Sequence, residues 1–518
     1  MTTHYLGLKN IDKPELAGAE FTEDTEYNEN YALNLQNISD IASKGAEYWF
    51  DGVDNQIAVT ITDLDFVSAG QGSIIVNLVP LTMSTDAAIV SYIESGTNYR
   101  MYFGYDFSEN KLGYNLNNGT NYFSGMDGTV VEGANYIAAC VFSDVTNPLF
   151  YLNGAIQSGT VSIGAGTTTD KLAISGRTNA PTTEPFSGQI SRTLLFNLAL
   201  SADEVKALSS GAPVPYKYIG ASQTPIYEGD WSAGVDGWVD YYATISGNND
   251  AVSDGVTSKD NCLKFYCSAD DNRHFSYKAT GQSPGKKFRF RVVYYIPSGQ
   301  THVDEIEVQP FQLEGHMLST VGEWTTYEAE ITLLSSENDS RIYATEGGSK
   351  IFAGEGDAND DRFYLAEFSL TQIGCVLQLE QDGIGHNQWI DSSGNELYGD
   401  VSGALPINLP ASHTEKFIIS DISSDQTFTL PTGYHVSSIV AEETSNNALT
   451  GDLDVGIGVL GQEIVNSEAV GALAIVDCTL VSTGVVQSLS ADTTITVSSS
   501  DWGSAVIDIW VIMKRTIA

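Results

Sequence analysis

Apolar and polar residues alternate along most of this chain, and a period of two predicts β-strands. In the segment 99–105, every second position carries a large apolar or aromatic side chain: Tyr99, Met101, Phe103 and Tyr105. We expect these side chains to face a core. Arg100 and Tyr102 occupy the intervening positions, so we expect them on the outer face of the strand.

The segment 201–209 differs, because its apolar residues recur at helical spacing. Ser201 is suited to cap the first turn, and Glu204, three residues later, completes the capping-box pattern. Gly211 follows as a stop. The sequence therefore predicts a short helix here.

The last strand-like run, residues 505–513, is apolar almost throughout and includes Trp510. A run of this kind predicts a strand that is buried on both faces. We expect it at the centre of a sheet or between subunits.

Length and composition support several β-domains. The chain has 518 residues, enough for about three or four domains that each bury a core. It contains 49 Gly, 26 Tyr and 20 Phe, and only 17% of its residues are charged, which favours short strands and turns. We predict an all-β protein with tandem β-sandwich (jelly-roll) domains and a further C-terminal β-domain.

Four blocks mark the first domain, each rich in aromatic or turn-forming residues. They are residues 48–52 (Tyr-Trp-Phe-Asp-Gly), 150–154 (Phe-Tyr-Leu-Asn-Gly), 186–190 (Phe-Ser-Gly-Gln-Ile) and 200–205 (Leu-Ser-Ala-Asp-Glu-Val). In this order they resemble the concanavalin A-like, laminin-G-like jelly-roll domains, over residues 45–215. The resemblance implies a sandwich of the sugar-binding type that ends with the short helix.

A proline-containing segment, residues 211–215, predicts a boundary after this domain. Further aromatic blocks then follow at residues 227–231, 294–299, 322–327 and 363–370. Their order resembles the jelly rolls of carbohydrate-binding modules, and this resemblance covers residues 219–373.

Three segments remain. Residues 1–44 are acidic and lack a period, which indicates an N-terminal arm or docking segment. Residues 374–410 are polar and rich in turns, and together with the domain that follows they look like the connector and last domain of bacteriophage fibre proteins. Residues 411–518 alternate strand-like runs with Gly- and Ser-rich turns, so we expect a C-terminal β-domain that also joins subunits.

The net charge excludes some classes of partner, and the cysteine content indicates the redox state of the thiols. The chain has 66 Asp and Glu against 24 Lys and Arg, a net charge of −42, and this field repels nucleic acid and anionic membranes. The first residues lack a basic region followed by an apolar run, and no apolar segment has membrane-spanning length, so we expect neither export by the usual route nor membrane insertion. Five dispersed cysteines are expected as reduced thiols.

Catalytic motifs are missing from the sequence. It has no His-Glu-x-x-His, Gly-x-Ser-x-Gly or Gly-x-x-x-x-Gly-Lys pattern, and its seven histidines form no chelating pair. A carboxylate pair for glycoside hydrolysis has no fixed sequence spacing, so the sequence does not decide that case. We predict that the protein is not an enzyme.

An acidic loop is the candidate metal site. Asp357, Asn359 and Asp361 alternate as the ligands of a calcium loop do, but Arg362 stands where an EF-hand needs glycine. The resemblance to carbohydrate-binding modules implies a structural calcium held partly by an acid of the last strand, and Ala366 occupies that position here. A calcium cofactor and a solvated acidic turn both stay open.

Aromatic residues are the candidates for sugar binding, because the C–H face of a sugar packs on a flat ring. In the second domain we select Trp238, Tyr241 and Tyr242, together with Trp324, although tryptophan at the start of a strand is more often core. The outer face with Arg100 and Tyr102 is the alternative carbohydrate-binding surface.

These features predict a bacteriophage virion protein, a tail or head fibre or receptor-binding protein, that attaches to host-surface polysaccharide. It would be made in the bacterial cytoplasm, act outside cells on the virion, contact other virion proteins and gain avidity as a homotrimer. Two alternatives stay open: a structural fibre or capsid decoration protein that binds no sugar, and an accessory binding protein of a polysaccharide-degrading system.

Overall fold

The computed structural model describes residues 46–60, 71–93, 99–107, 110–118, 123–126, 130–142, 148–158, 171–177, 180–221, 225–241, 243–248, 251–267, 275–279, 285–300, 303–310, 315–333, 339–345, 361–409, 414–457, 462, 464–480 and 492–515. Strands dominate, which confirms the all-β prediction. The predicted helix is present as α1 (Ala202–Ser209), capped by Ser201. Within these ranges no helix has the length and apolarity to cross a membrane. The predicted arm, residues 1–44, lies outside them.

The first module, residues 46–221, is a β-sandwich with α1 near its end. Its strands are β1 (Glu47–Asp51), β2 (Gln56–Thr60), β3 (Gly72–Thr82), β4 (Ala87–Ile93), β5 (Tyr99–Asp106), β6 (Lys111–Asn118), β7 (Phe123–Gly125), β8 (Tyr136–Phe142), β9 (Pro148–Leu152), β10 (Ala155–Gln157), β11 (Lys171–Ile174) and β12 (Ser187–Phe196).

Two antiparallel runs of strands face each other in this module. One run has the order β10-β9-β8-β3-β12, and the other has the order β2-β11-β4-β5-β6-β7. Side chains of both runs share one core, among them Val76, Phe150, Val59 and Phe103. The alternation predicted for residues 99–105 is confirmed at Phe103 and Tyr105, which are buried in this core.

The second module, residues 225–373, follows α1. Its strands are β13 (Tyr227–Glu228), β14 (Val239–Tyr241), β15 (Ala243–Asn248), β16 (Val252–Ser253), β17 (Ser258–Lys259), β18 (Cys262–Cys267), β19 (Phe275–Ala279), β20 (Lys287–Tyr295), β21 (Glu305–Gln309), β22 (His316–Leu318), β23 (Thr325–Thr332), β24 (Asp339–Thr345) and β25 (Arg362–Gln372).

Two sheets enclose the core of the second module. The larger sheet has the order β15-β18-β25-β20-β23, with β13 paired to β25, and the smaller has the order β14-β19-β24-β21-β22. Phe265, Phe290 and Phe363 of the larger sheet share one core with Ile306 and Ile342 of the smaller. Strands β16 and β17 form a separate hairpin.

The segment predicted as a connector, residues 374–410, instead completes the first module. Its strands are β26 (Cys375–Ile384), β27 (Gln388–Asp391), β28 (Gly399–Ser402) and β29 (Leu405–Ile407). β26 pairs with β12, β28 with β2 and β29 with β1. The physical reason is apolar burial, because Leu377, Leu379 and Trp389 are fully buried in the first core.

The second module is therefore inserted into the first. The chain leaves the first module and returns to it at adjacent places, where the Gln372 side chain donates to the Ile219 carbonyl at 3.1 Å. The Asn197 N–H donates to the Gly374 carbonyl at 3.1 Å, and the Gly220 N–H donates to the Ser393 carbonyl at 2.6 Å. Lys286 of the insert contributes a further bond of 2.6 Å to the Ile219 carbonyl.

The C-terminal domain has two four-stranded sheets around a third core. Their orders are β30-β37-β32-β35 and β31-β36-β33-β34. The strands are β30 (Thr414–Ile422), β31 (Gln426–Leu430), β32 (Tyr434–Glu443), β33 (Leu453–Gly456), β34 (Val465–Glu468), β35 (Ile475–Asp477), β36 (Thr493–Ser499) and β37 (Ile507–Arg515).

The last strand, β37, is central in its sheet, and within one chain only one of its two faces is fully buried. The face with Ile507, Ile509, Val511 and Met513 is fully buried. Asp508, Trp510 and Ile512 on the other face are partly exposed. Buried and partly exposed side chains alternate along β37, as they do in a strand of a sheet with one solvated face, and Asp508 lies on that face.

Three consecutive side chains dock the first module on the C-terminal domain. His386 Nδ1 lies 2.5 Å from Glu415 Oε1. The Asn387 amide bonds both backbone groups of Thr429, at 2.7 and 3.0 Å, and the Gln388 amide bonds both backbone groups of Ile418, at 2.9 Å each. Each side-chain amide bonds the N–H and the carbonyl of one residue, as a neighbouring strand would. These paired hydrogen bonds fix the first module against the C-terminal domain.

The described thiols agree with the reduced state that we predicted. Cys140, Cys262, Cys375 and Cys478 are buried and form no disulfide. Burial raises the pKa of the Cys262 thiol to about 11, so this group stays protonated at neutral pH.

Candidate functional site

Trp238 is a core residue rather than part of an exposed sugar platform. Its side chain is 3% exposed, and its indole N–H donates to the Tyr227 hydroxyl at 2.8 Å. Its ring packs edge-on against Phe368, with centroids 5.2 Å apart. Neither face of the indole is available to a ligand, so the core alternative applies to this residue.

The other predicted aromatic and basic residues are only partly described. Tyr241 ends β14, but its side chain lies outside the described residues, as does all of Tyr242. Arg100 and Tyr102 occupy the positions of β5 that alternate with the buried Phe103 and Tyr105, and their side chains also lie outside the description. Their roles in binding stay predictions.

The predicted calcium loop is described at one of its three residues. Asp357 and Asn359 lie outside the described residues. Asp361 is buried, and its Oδ2 accepts a hydrogen bond from the Val303 N–H at 3.1 Å. Within the described ranges, no group of three His, Cys, Asp or Glu side chains is arranged to hold a metal ion.

The structure brings together a different set of aromatic residues, on the outer face of the larger sheet of the second module. Along β18 and β25, Leu263, Phe265, Phe363 and Leu365 face the core. The alternate positions lie on the outer face of the sheet and carry Lys264, Tyr266 and Tyr364. Tyr364 is only 8% exposed there, because it packs with Val252 and Cys262 in a small hydrophobic cluster. Tyr295 at the end of β20 and Trp324 just before β23 extend the set. We call Tyr266, Tyr364, Tyr295 and Trp324 the aromatic row.

The four rings follow one another across neighbouring strands. Tyr364 and Tyr295 are directly paired, and their rings are nearly parallel, at 18°, with centroids 6.1 Å apart. The Trp324 ring lies 5.4 Å from Tyr295 at 36°. Lys264 Nζ sits 4.2 Å from the Tyr266 centroid and 5.9 Å from that of Tyr364, which joins the two rings by cation–π contacts.

A hairpin fixes the Trp324 end of the row. Asp254, in the turn between β16 and β17, accepts hydrogen bonds from the N–H groups of Val256 and Thr257 and from that of Trp324, the last at 2.8 Å. The Trp324 indole N–H donates to the Val252 carbonyl at 3.2 Å. The indole is thus held at its edge while its side chain stays partly exposed.

The row also offers polar groups beside its rings. A hydrogen bond from Lys264 is the main reason that the pKa of the Tyr266 hydroxyl is lowered, and Arg362 lowers it further. Burial, then Asp254 and Tyr364, raise the pKa of Tyr295. Flat apolar faces next to a cation and phenolic hydroxyls are the contacts that a sugar needs.

The rest of the same sheet face is ionic. Glu330 bridges Lys287 at 2.7 Å and Arg289 at 3.0 Å, and Arg291 lies between Glu328 and Glu367. Partly exposed pairs of this kind contribute little stability each. The apolar part of the face is therefore confined to the aromatic row and its surroundings.

Sequence reasoning selected Trp324 but missed Tyr266, Tyr295 and Tyr364. A pattern in the sequence marks two of them, because Tyr266 follows the alternation of Leu263 and Phe265, and Tyr364 stands between Phe363 and Leu365. For Tyr295 the pattern is ambiguous, since it follows another tyrosine. A register shift between Val293 and Tyr294 decides which ring points outward.

Comparisons with known proteins cover only part of the chain. No curated protein matches the chain in sequence. The chain is similar to solved structures of a heptameric SAP-like pentraxin from Limulus polyphemus (16% identity over 32% of this chain and 82% of that chain, TM-score 0.26) and the IT-sialidase CBM40 of Ruminococcus gnavus bound to α2,3-sialyllactose (15% identity, 32% and 97%, TM-score 0.27). It is also similar to domain 4 of the extracellular arabinanase AbnA from Geobacillus stearothermophilus in complex with arabinotriose (16% identity, 27% and 66%, TM-score 0.24). Residues 51–206 match the model of the concanavalin A-like lectin/glucanases superfamily, which confirms the resemblance predicted for the first module.

Proposed function

We propose that this protein binds glycans without cleaving them, and that the aromatic row is one of its binding surfaces. The observation that carries the proposal is the row itself: the partly exposed rings of Tyr266, Tyr295 and Trp324 are held in fixed order around the buried ring of Tyr364, and Lys264 lies beside Tyr266. Rings that are already held in place lose little conformational entropy when a ligand packs on them. The lectin-superfamily match of residues 51–206 supports the same class of ligand for the first module.

Binding to a glycan array, followed by calorimetry on the best ligand, tests the row. Replacing Tyr295 with Ala should weaken binding by about 1 to 3 kcal/mol, the range for loss of a packed aromatic contact. Tyr216→Ala is the matched control, because Tyr216 is a 65% exposed ring outside the row. Equal affinity of wild type and of the folded Tyr295→Ala and Tyr266→Ala variants would exclude the row and leave the Arg100 and Tyr102 face as the site.

We further propose that the protein works on a bacteriophage particle, as a fibre or receptor-binding protein that contacts host polysaccharide and other virion proteins. The support is the sequence resemblance of residues 411–518 to the last domain of phage fibre proteins. The resemblance of residues 374–410 to a fibre connector no longer supports the proposal, because β26–β29 belong to the first module. Antibody labelling of purified particles tests this proposal. Absence of the protein from virions would favour an accessory role in a polysaccharide-degrading system.

A homotrimer is part of this proposal, because avidity strengthens weak sugar sites. Its support is the partly exposed Trp510 and Ile512 on one face of the C-terminal domain. Light scattering in moderate salt, which screens the −42 charge of each chain, should give a mass near three times 55.7 kDa. A monomer at micromolar concentration would contradict it.

Two further parts of the proposal have direct tests. Incubation with the bound polysaccharide should release no reducing ends, and release that a single carboxylate substitution abolishes would establish a hydrolase.

For calcium, Asp361 is the residue to change. If Asp357, Asn359 and Asp361 hold the ion, added Ca²⁺ raises the melting temperature of wild type but not of Asp361→Asn.

A further inference from the structure

A polar cavity lies where the first module meets the C-terminal domain, away from the aromatic row. Its volume is about 240 Å³. Arg515, His386, Asn408, Thr432 and Tyr434 contribute polar lining, and Pro406 and Leu409 contribute apolar lining. The volume is below the roughly 300 Å³ at which sites for drug-sized ligands begin, so the cavity suits a single small ring.

Arg515 supplies a permanent positive charge at this cavity. It is the last residue of β37 and pairs with Tyr434 of β32. Its Nη1 donates to the Leu409 carbonyl at 3.0 Å, which holds the guanidinium beside the apolar lining. A planar guanidinium is well matched to a carboxylate, which it can bind through two parallel hydrogen bonds.

His386 adds a fixed imidazole. Glu415, which is 3% exposed, accepts from the His386 backbone N–H at 3.0 Å, and its Oε1 lies 2.5 Å from Nδ1. The ring also packs edge-on against Tyr434, with centroids 5.4 Å apart. The other ring nitrogen, Nε2, has no hydrogen-bond partner in the part of the chain that the structure describes. It is positioned for a hydroxyl group in the cavity.

Thr432 completes the polar lining. Its hydroxyl donates to the Asp492 carboxylate at 3.0 Å, so its oxygen can still accept a hydrogen bond. The Asn408 amide, which donates to the Glu47 carboxylate at 3.4 Å, also lines the cavity. The lining therefore combines one cation, polar groups of three side chains suited to hydroxyls and an apolar wall.

We propose that this cavity binds a small polyhydroxylated carboxylate of the size of one acidic monosaccharide. The carboxylate pairs with Arg515, hydroxyls contact His386 and Thr432, and the C–H groups of the ring face Leu409 and Pro406. This site is separate from the aromatic row, and neither depends on the other.

Calorimetric titration of the full chain with sodium D-glucuronate tests the proposal, with D-glucose and sodium acetate as probes that lack the carboxylate or the hydroxyls. Sodium chloride keeps the ionic strength equal. Glucuronate should bind at least about tenfold more tightly than either. Arg515→Gln should weaken glucuronate roughly 10- to 100-fold, the range for loss of a charge-assisted hydrogen bond.

Matched variants distinguish a specific contact between Arg515 and the ligand carboxylate from a long-range effect of positive charge. Lys514→Gln makes the same charge change one residue earlier on the alternate face of β37 and should leave the affinity unchanged. Arg515→Lys keeps the charge without the planar fork and should bind with intermediate affinity, which also guards against loosening of the segment around Leu409. Tyr295→Ala in the aromatic row should not alter the glucuronate titration.

Several outcomes would overturn the proposal. Acetate binding as tightly as glucuronate would show a general anion site, and glucose binding equally would show that the carboxylate is not recognised. Equal losses in Arg515→Gln and Lys514→Gln would show a long-range field effect. The absence of glucuronate binding to wild type would reject the site outright.

Discussion

At the scale of single residues, Glu204 ties the helix α1 to the chain that follows it. Its carboxylate accepts hydrogen bonds from the Tyr218 hydroxyl at 2.6 Å, from Lys217 at 2.9 Å and from the Ser201 backbone at 3.0 Å. Burial alone raises the pKa of Glu204, but these hydrogen bonds together outweigh it and lower the pKa to about 2, from an ordinary 4.5. The predicted capping box is thus part of a larger network.

This lowered pKa predicts how stability depends on pH. A carboxyl with a depressed folded-state pKa stabilises the fold fully above its ordinary pKa and loses that contribution as the pH falls through the folded value. Glu204→Gln should therefore cost about 1 to 2 kcal/mol at pH 7, less than the shift alone implies because the side chain is 25% exposed.

The cost of Glu204→Gln should shrink between pH 4.5 and about 2, where wild-type Glu204 becomes protonated. Denaturant unfolding of the first module at several pH values measures it. Asp203→Asn in the same helical turn is the control, since Asp203 is exposed, and it should show little cost at any pH. A constant cost of Glu204→Gln across this window would contradict the argument.

Trp238 provides a second prediction at this scale. Because the indole is fully packed against Phe368 and Tyr227, Trp238→Ala should destabilise the second module by about 3 to 5 kcal/mol. Thermal unfolding measures this loss. Sugar affinity at a temperature where the variant stays folded should match wild type, and a large loss of affinity in the folded variant would place Trp238 in a binding site.

At the scale of elements, two different constraints explain glycines in the first module's aromatic blocks: close strand packing at Gly188 and turn geometry at Gly154. Gly188 in β12 has no room for a side chain, because a Cβ there would lie 2.4 Å from the Val79 carbonyl oxygen and 2.5 Å from the Phe186 ring. Between β9 and β10, Asn153 and Gly154 both have positive φ, at 52° and 75°, as a two-residue type I′ hairpin turn requires.

Gly188→Ala should therefore destabilise the first module by about 1 to 3 kcal/mol, since the added methyl group forces β12 away from β3 or displaces Phe186. Urea unfolding measures the change. Gly471→Ala is the control, because a Cβ there meets only Ala474 Cβ, at 3.7 Å. Similar stability of both variants and wild type would mean that β12 and β3 separate easily at this point.

At the scale of the whole molecule, the second module is an insertion between two halves of the first. Its ends meet where Gln372 bonds the Ile219 carbonyl and where Gly374 lies against Tyr218. The insert and the first module each have their own core, and only Ile373, at the end of the insert, packs into a cluster of first-module residues among the described part of the chain.

Removal of the insert tests this organisation. A variant in which a short Gly-Ser linker replaces residues 222–371 should stay folded, because β26 still reaches β12 and Trp389 still fills the first core. Circular dichroism and thermal unfolding should show β-structure and the loss of one transition. Residues 219–373 alone should fold as well. A well-folded insert together with an unfolded remainder would contradict the arrangement.

The sequence by itself determined the local features: strand alternation, as at residues 99–105, the helix with its capping box at Ser201 and Glu204, and the aromatic blocks of the first module. These depend on neighbours a few residues apart. Only the tertiary structure decided that residues 375–407 complete the first module, that Trp238 is core, and that Tyr266, Tyr364, Tyr295 and Trp324 form one row. The reason is physical. The two-residue period of the sequence shows which side chains of a strand share a face, but the strand that pairs with it comes from a distant part of the chain, as when Leu379 pairs with Thr193.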